Sequence, residues 1–171
     1  MDKSVFNKIA NSIINNIEGG YYNPKWHYKE AMGKSGETMF GIDRVAGGDL
    51  NTSPAGKQFW SLIDANKSPS VWKWNYIPPD PLRTQLEDLA VDIIYPRYEQ
   101  YSKRYLSPEA KELVDSDGRL MFHMAYATWN GEGWFKKFAN DINAQVQAGV
   151  RDTTQLSQTA VDSRTKEGDR K

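Results

Sequence analysis

The stretch KSVFNKIANSIINNIEGGYY, residues 3–22, decides how this chain begins and where its chemistry is to be sought. Val5, Ile9, Ile13 and Ile17 recur every four positions, with Phe6, Ala10 and Ile14 beside them. That spacing predicts a helix over 3–17 with one apolar stripe. Gly19-Gly20 should stop it, as glycine past a helix end commonly does. Glu18 is then expected on the last turn, where the helix macrodipole disfavours a carboxylate and so favours the acid form.

Outward from this helix the pattern alternates between irregular and periodic segments. Residues 21–52 carry little periodicity, apart from a short strand or small hairpin expected around Thr38-Met39-Phe40-Gly41-Ile42. Long irregular loops in compact domains are usually functional, which directs the search for a site to this segment. Ser53 as cap and Pro54 at the first position open a second helix with Phe59, Trp60, Leu62 and Ile63 on its apolar side. The Pro- and Trp-rich stretch 68–81 reads as a loop. A long helix is expected from Leu82 to about Tyr101, kinked or broken at Pro96. Ser107-Pro108 repeats the cap signature, and further helices are expected over 119–128 and 134–148. After Gly149 the chain turns polar, so residues 150–171 are expected as a mobile tail or a docking segment. The fold class is mainly α, with a small irregular hairpin region after the first helix. One domain over 1–149 and a polar tail over 150–171 make up the chain.

Composition excludes several function classes. The chain has 171 residues, with 22 basic and 22 acidic side chains, and so lacks the basic excess of a nucleic-acid binder. There is no cysteine, hence no disulfide, no thiol nucleophile and no Cys-based zinc site. The first sixteen residues lack the basic-then-apolar pattern of a signal peptide, and no apolar run is long enough to span a bilayer. His27 and His123 stand too far apart in sequence to make a metal motif, and no cofactor or metal is expected. Aromatics form 12% of the chain, including six Trp and nine Tyr, residues whose flat faces stack on sugars as well as packing in cores.

Two segments carry a recognisable pattern. Glu18-Gly19-Gly20-Tyr21 is followed by Gly36-Glu37-Thr38-Met39-Phe40-Gly41-Ile42. This pairing resembles the phage and bacterial muramidases of glycoside hydrolase family 108, within the lysozyme-like superfamily. The resemblance implies a lysozyme-like α+β domain that cuts peptidoglycan glycan strands between N-acetylmuramic acid and N-acetylglucosamine. It further implies that Glu18 is the general acid and that Thr38, on a short strand facing the acid, helps hold a water or the substrate. Tyr21, Tyr22, Asn23, His27 and Phe40 are the expected substrate contacts nearby. A looser match, Tyr126 through Trp129 and Asn130 to Gly133, resembles the cleft-lining helix end of lysozymes and lytic transglycosylases. An ordinary helix stop with Asn-Gly turn chemistry explains that run equally well.

The chain departs from the family where an Asp usually follows near an Asn-Asp-Pro step, since Tyr22-Asn23-Pro24 has none. The second acidic role therefore stays open among Glu37, Glu30 and Asp43, with Glu37 nearest the matched motif. Without a second carboxylate, a lytic transglycosylase is implied, in which one carboxyl serves first as acid and then as base. The alternative of another class is a non-catalytic lysozyme-like component of a virion or secretion machine that binds the cell wall. Implied partners are glycan strands and, through the tail, virion proteins, with a free enzyme acting as a monomer. The implied location is the virion or the host cytoplasm, with action on the wall in the periplasm.

Overall fold

In the computed structural model, which describes residues 2–26, 36–45 and 49–168, the first helix α1 spans Lys3–Asn16. Its buried stripe is Phe6, Ala10, Ile13 and Ile14, while Val5 and Ile17 are each 42% exposed. The expected stripe through Val5 and Ile17 is thus turned by about one residue. The i, i+4, i+7, i+8 set follows the 3.6-residue period, whereas a strict four-residue repeat drifts around the helix. The chain then leaves the helix before Glu18, whose amide donates to the Ile13 carbonyl at 3.0 Å in a wide closing turn.

The chain divides into two compact units, Asn11–Ile94 and Met1–Ala10 with Tyr95–Lys171. In the first, the hairpin strands β1 (Thr38–Met39) and β2 (Ile42–Asp43) pair antiparallel, with Thr38 opposite Asp43. Phe40 and Gly41 connect them with φ of +52° and +72°. Both central residues of a two-residue hairpin turn of this hand need positive φ, which Gly41 supplies without strain. Helices α2 (Asp49–Thr52) and α3 (Pro54–Asn66) follow. Ser53 caps α3 by accepting from the Gly56 amide at 3.0 Å, and Phe59, Trp60 and Ile63 face inward.

Helix α4 runs Leu82–Tyr105, through Pro96 and four residues beyond its expected end. Proline removes one backbone donor, and the helix continues past it with Ile93, Ile94, Tyr98 and Tyr101 buried.

In the second unit Phe6 meets Tyr95 edge-on at 5.1 Å and Tyr98 at 5.0 Å. Helices α5 (Pro108–Ser116), α6 (Gly118–Trp129) and α7 (Glu132–Gln147) complete a bundle in which Phe135 packs 5.5 Å from Tyr101. The expected mobile tail is instead helix α8, Thr153–Gly168. Leu156 and Ala160, one turn apart, are both fully buried. Thr153 donates to Asp117 at 2.8 Å, and Lys137 donates to the Ser163 carbonyl at 3.1 Å. One leucine and one alanine at helical spacing suffice to dock a polar segment when its ends are also hydrogen-bonded. Residues 150–168 therefore belong to the second unit rather than forming a tail. Among the described residues no helix is long and apolar enough to cross a membrane.

Candidate active site

The Glu18-Gly19-Gly20-Tyr21-Tyr22 segment is the middle rung of a small ladder. On one side the Tyr21 amide donates to the Tyr76 carbonyl at 2.8 Å, and the Asn75 amide to Tyr21 at 3.0 Å. On the other, Tyr22 and Thr38 exchange bonds of 2.8 and 2.9 Å, and the Phe40 amide reaches the Gly19 carbonyl at 3.0 Å. The Gly20 amide donates to the Asn75 side-chain oxygen at 2.5 Å. A Cβ on Gly20 would lie 2.5 Å from the Tyr76 carbonyl oxygen and 2.6 Å from that of Asn75. Gly20 is thus required for the close approach of two backbones, and not by a positive φ at the helix end.

Two glutamates in this unit live in opposite surroundings. Glu18 is half-buried. Its carboxyl has no hydrogen bond or ion pair among the described residues, and loss of solvent alone pushes its pKa above the ordinary glutamate value. The helix ends at Asn16, so Glu18 lies past the last turn on which it was expected, and desolvation raises its pKa. An acid without a partner in a dry site holds its proton to higher pH.

Glu37 is also withdrawn from water, but four groups donate to it. Tyr21 Oη, Lys67 Nζ and Arg44 Nη1 each lie 2.5 Å from one of its oxygens, and Asn23 Nδ2 lies at 3.0 Å. Burial alone would raise its pKa; Lys67, Tyr21 and Arg44 together outweigh that and hold it below the ordinary value. Asp64 closes the cluster, bound to Arg44 at 2.7 and 2.8 Å and to Lys67 at 2.7 Å, and is pulled down to about 2, chiefly by Arg44. Arg44 in turn lies over the Trp60 ring at 5.1 Å, and Lys67 over Trp26 at 6.0 Å.

The expected site residues fall into distinct places. Thr38 is half-buried on β1, its hydroxyl 3.4 Å from the Gly36 carbonyl. Tyr21, Tyr22, Asn23 and Phe40 are not surface contacts for a sugar: they are 0%, 5%, 5% and 1% exposed. Side chains alternate along an extended segment: Tyr21 and Asn23 share the face that holds Glu37, and Tyr22 packs against Trp74. His27 and Glu30 lie outside the described residues. Asp43 binds the turn around it, accepting from the amides of Val45 at 2.7 Å and Gly36 at 3.2 Å. Tyr126, Trp129 and Asn130 belong to the other unit. There Asn130 closes α6, its side-chain amide donating to the Tyr126 carbonyl at 2.9 Å, ahead of Gly131 at φ +101°. His123 is half-buried with its ring edge-on to Phe122.

Arg44, Asp64, Lys67, Trp74 and Asn75 were not singled out by sequence. Only the Trp-rich composition of 68–81 pointed toward any of them. Among the described residues no group of three or more His, Asp or Glu side chains could hold a metal ion. No family model, curated protein or solved structure matches the chain.

Proposed function

We propose that the chain cleaves glycan strands of peptidoglycan, with Glu18 as the general acid of a lysozyme-like site. The observation that carries the reading is the half-buried Glu18 carboxyl, its pKa raised by desolvation and bonded to nothing described around it. Glycoside cleavage needs such a group to protonate the leaving oxygen, and raising a carboxyl's pKa is how an acid is kept loaded near neutral pH. The Phe40 amide bonds the Gly19 carbonyl and Tyr22 bridges Thr38, so the two motifs are neighbours, which supports reading them as parts of one site.

In this reaction Glu18 gives its proton to the glycosidic oxygen as the sugar C1–O bond breaks. The resulting carboxylate then takes a proton from the attacking hydroxyl. Water as attacker yields a reducing end, and the sugar's own hydroxyl yields an anhydro end. Glu37, saturated by four donors, serves as an anchor for Tyr21 and Asn23 rather than as nucleophile. Thr38, whose hydroxyl donates to the Gly36 carbonyl, is the residue the resemblance implies as a holder of water or substrate. A phage lysin or virion-associated enzyme is the setting this chemistry suits.

A Glu18→Gln protein should keep its circular dichroism spectrum and lose lysis of peptidoglycan suspensions by about 100-fold or more, the scale of a general acid's contribution. Undiminished lysis would remove Glu18 from its role. A second reading, a wall-binding component without catalysis, is favoured by one observation: Glu37 and Asp43, two of the three candidate second carboxylates, are both committed to the scaffold. Retention on insoluble peptidoglycan with no released muropeptides would select it.

A further inference from the structure

The loop 68–81 presents one large aromatic outward beside the ladder. Trp74 is 60% exposed, whereas Trp72, two residues earlier, is 3% exposed and packs edge-on to Tyr21 at 5.0 Å. The Trp74 ring is held by the buried Tyr22, 6.2 Å away at an interplanar angle of 63°. Its backbone is fixed too. Asn75, next in the chain, has φ +60°, donates its amide to Tyr21 and accepts the Gly20 amide on its side-chain oxygen. The side-chain NH2 of Asn75, itself exposed, makes no further bond among the described residues. An exposed indole on a fixed turn, with an amide donor beside it, offers a flat apolar face and a hydrogen bond side by side.

We propose that Trp74 and Asn75 form a sugar-binding subsite, the indole stacking on a pyranose face and the Asn75 amide donating to a ring substituent. The occupant is an N-acetylated glycan strand, which offers flat C–H faces for the indole and acetamido and hydroxyl oxygens for the amide. Glu18 and Tyr22 are four residues apart and their Cα atoms at most about 14 Å from one another. A strand lying on Trp74 and reaching Glu18 would span a few pyranose units. This rests on the cleavage reading above, which it deepens by fixing where the strand is held away from the bond that breaks. Trp74 and Asn75 are positioning residues in this scheme.

The test is binding of soluble N-acetylglucosamine tetramer by calorimetry to the full chain, in wild-type, Trp74→Ala, Trp74→Tyr and Glu18→Gln forms. Trp74→Ala should weaken binding at least tenfold with the melting temperature unchanged, and Trp74→Tyr should restore most of it. In lysis assays Trp74→Ala should raise KM and leave kcat within about twofold, the pattern of lost uniform binding. Glu18→Gln should bind the tetramer as the wild type does. Unchanged binding in Trp74→Ala overturns the subsite, as does a wild type that binds no tetramer. A Trp74→Ala change confined to the oligomeric state would also overturn it, assigning the patch to a protein contact. Persisting lysis by Glu18→Gln would instead overturn the acid assignment and leave the tetramer measurement standing on its own.

Discussion

The end of α1 and the start of the hairpin each place one glutamate out of water, and the two carboxyls are driven in opposite directions. Glu18 has lost solvent and gained no partner, so its acid form is favoured. Glu37 has lost solvent and gained Lys67, Tyr21, Arg44 and Asn23, so its charged form is favoured. Burial raises both; the donors decide the sign.

The largest expected effect comes from emptying the partnered site. Glu37→Ala leaves the buried Tyr21 hydroxyl without its acceptor and Lys67 and Arg44 with Asp64 alone, and should cost about 3 kcal/mol, the scale of breaking a buried pair from one side. The urea midpoint reads it, and a loss below about 1 kcal/mol would mean that the cluster is merely a surface ion pair. Gly20→Ala attacks the ladder that holds both carboxyls in place. Its Cβ would press on the Tyr76 and Asn75 backbones, and a cost of roughly 1–3 kcal/mol is expected from overpacking.

The pH dependence separates the two glutamates more finely. For Glu37 the folded pKa is depressed, so its contribution is present above the unfolded value of about 4.5 and is lost as pH falls through the lower folded value. For Glu18 the folded pKa is raised. Its contribution is fully present below about 4.5 and is lost as pH rises through the higher folded value. Glu18→Gln should therefore be at least as stable as the wild type at pH 7, and its relative advantage should vanish at acid pH. Glu37→Gln should show the reverse, with a deficit at pH 7 that shrinks on acidification. Stability curves from pH 3 to pH 7 for both variants check the signs.

The legible parts of the chain were those whose signals are local. Ser53-Pro54 and Ser107-Pro108 each announce a cap, and both helices begin there with the serine side chain accepting an amide. Glu18 was legible through Gly19-Gly20 and its motif, although its place past the helix end at Asn16 was not. The Glu37 cluster was hidden because it gathers residues 21, 23, 44, 64 and 67 from separate segments, and no spacing along the chain encodes such a meeting. The ladder partner Tyr76 was hidden for the same reason: one backbone pair leaves no periodicity. Helix α8 was missed because Leu156 and Ala160 give too thin an apolar stripe to stand out from a polar composition.

The contrast between the two carboxyls is tested most directly by a carbon-detected NMR titration of the glutamate side chains, with Glu18→Gln and Glu37→Gln spectra assigning the two resonances. Glu18 should titrate above the ordinary glutamate range and Glu37 below it. A Glu18 that titrates at or under the ordinary value would mean that the carboxyl is solvated or paired, and it could not act as the acid proposed for it.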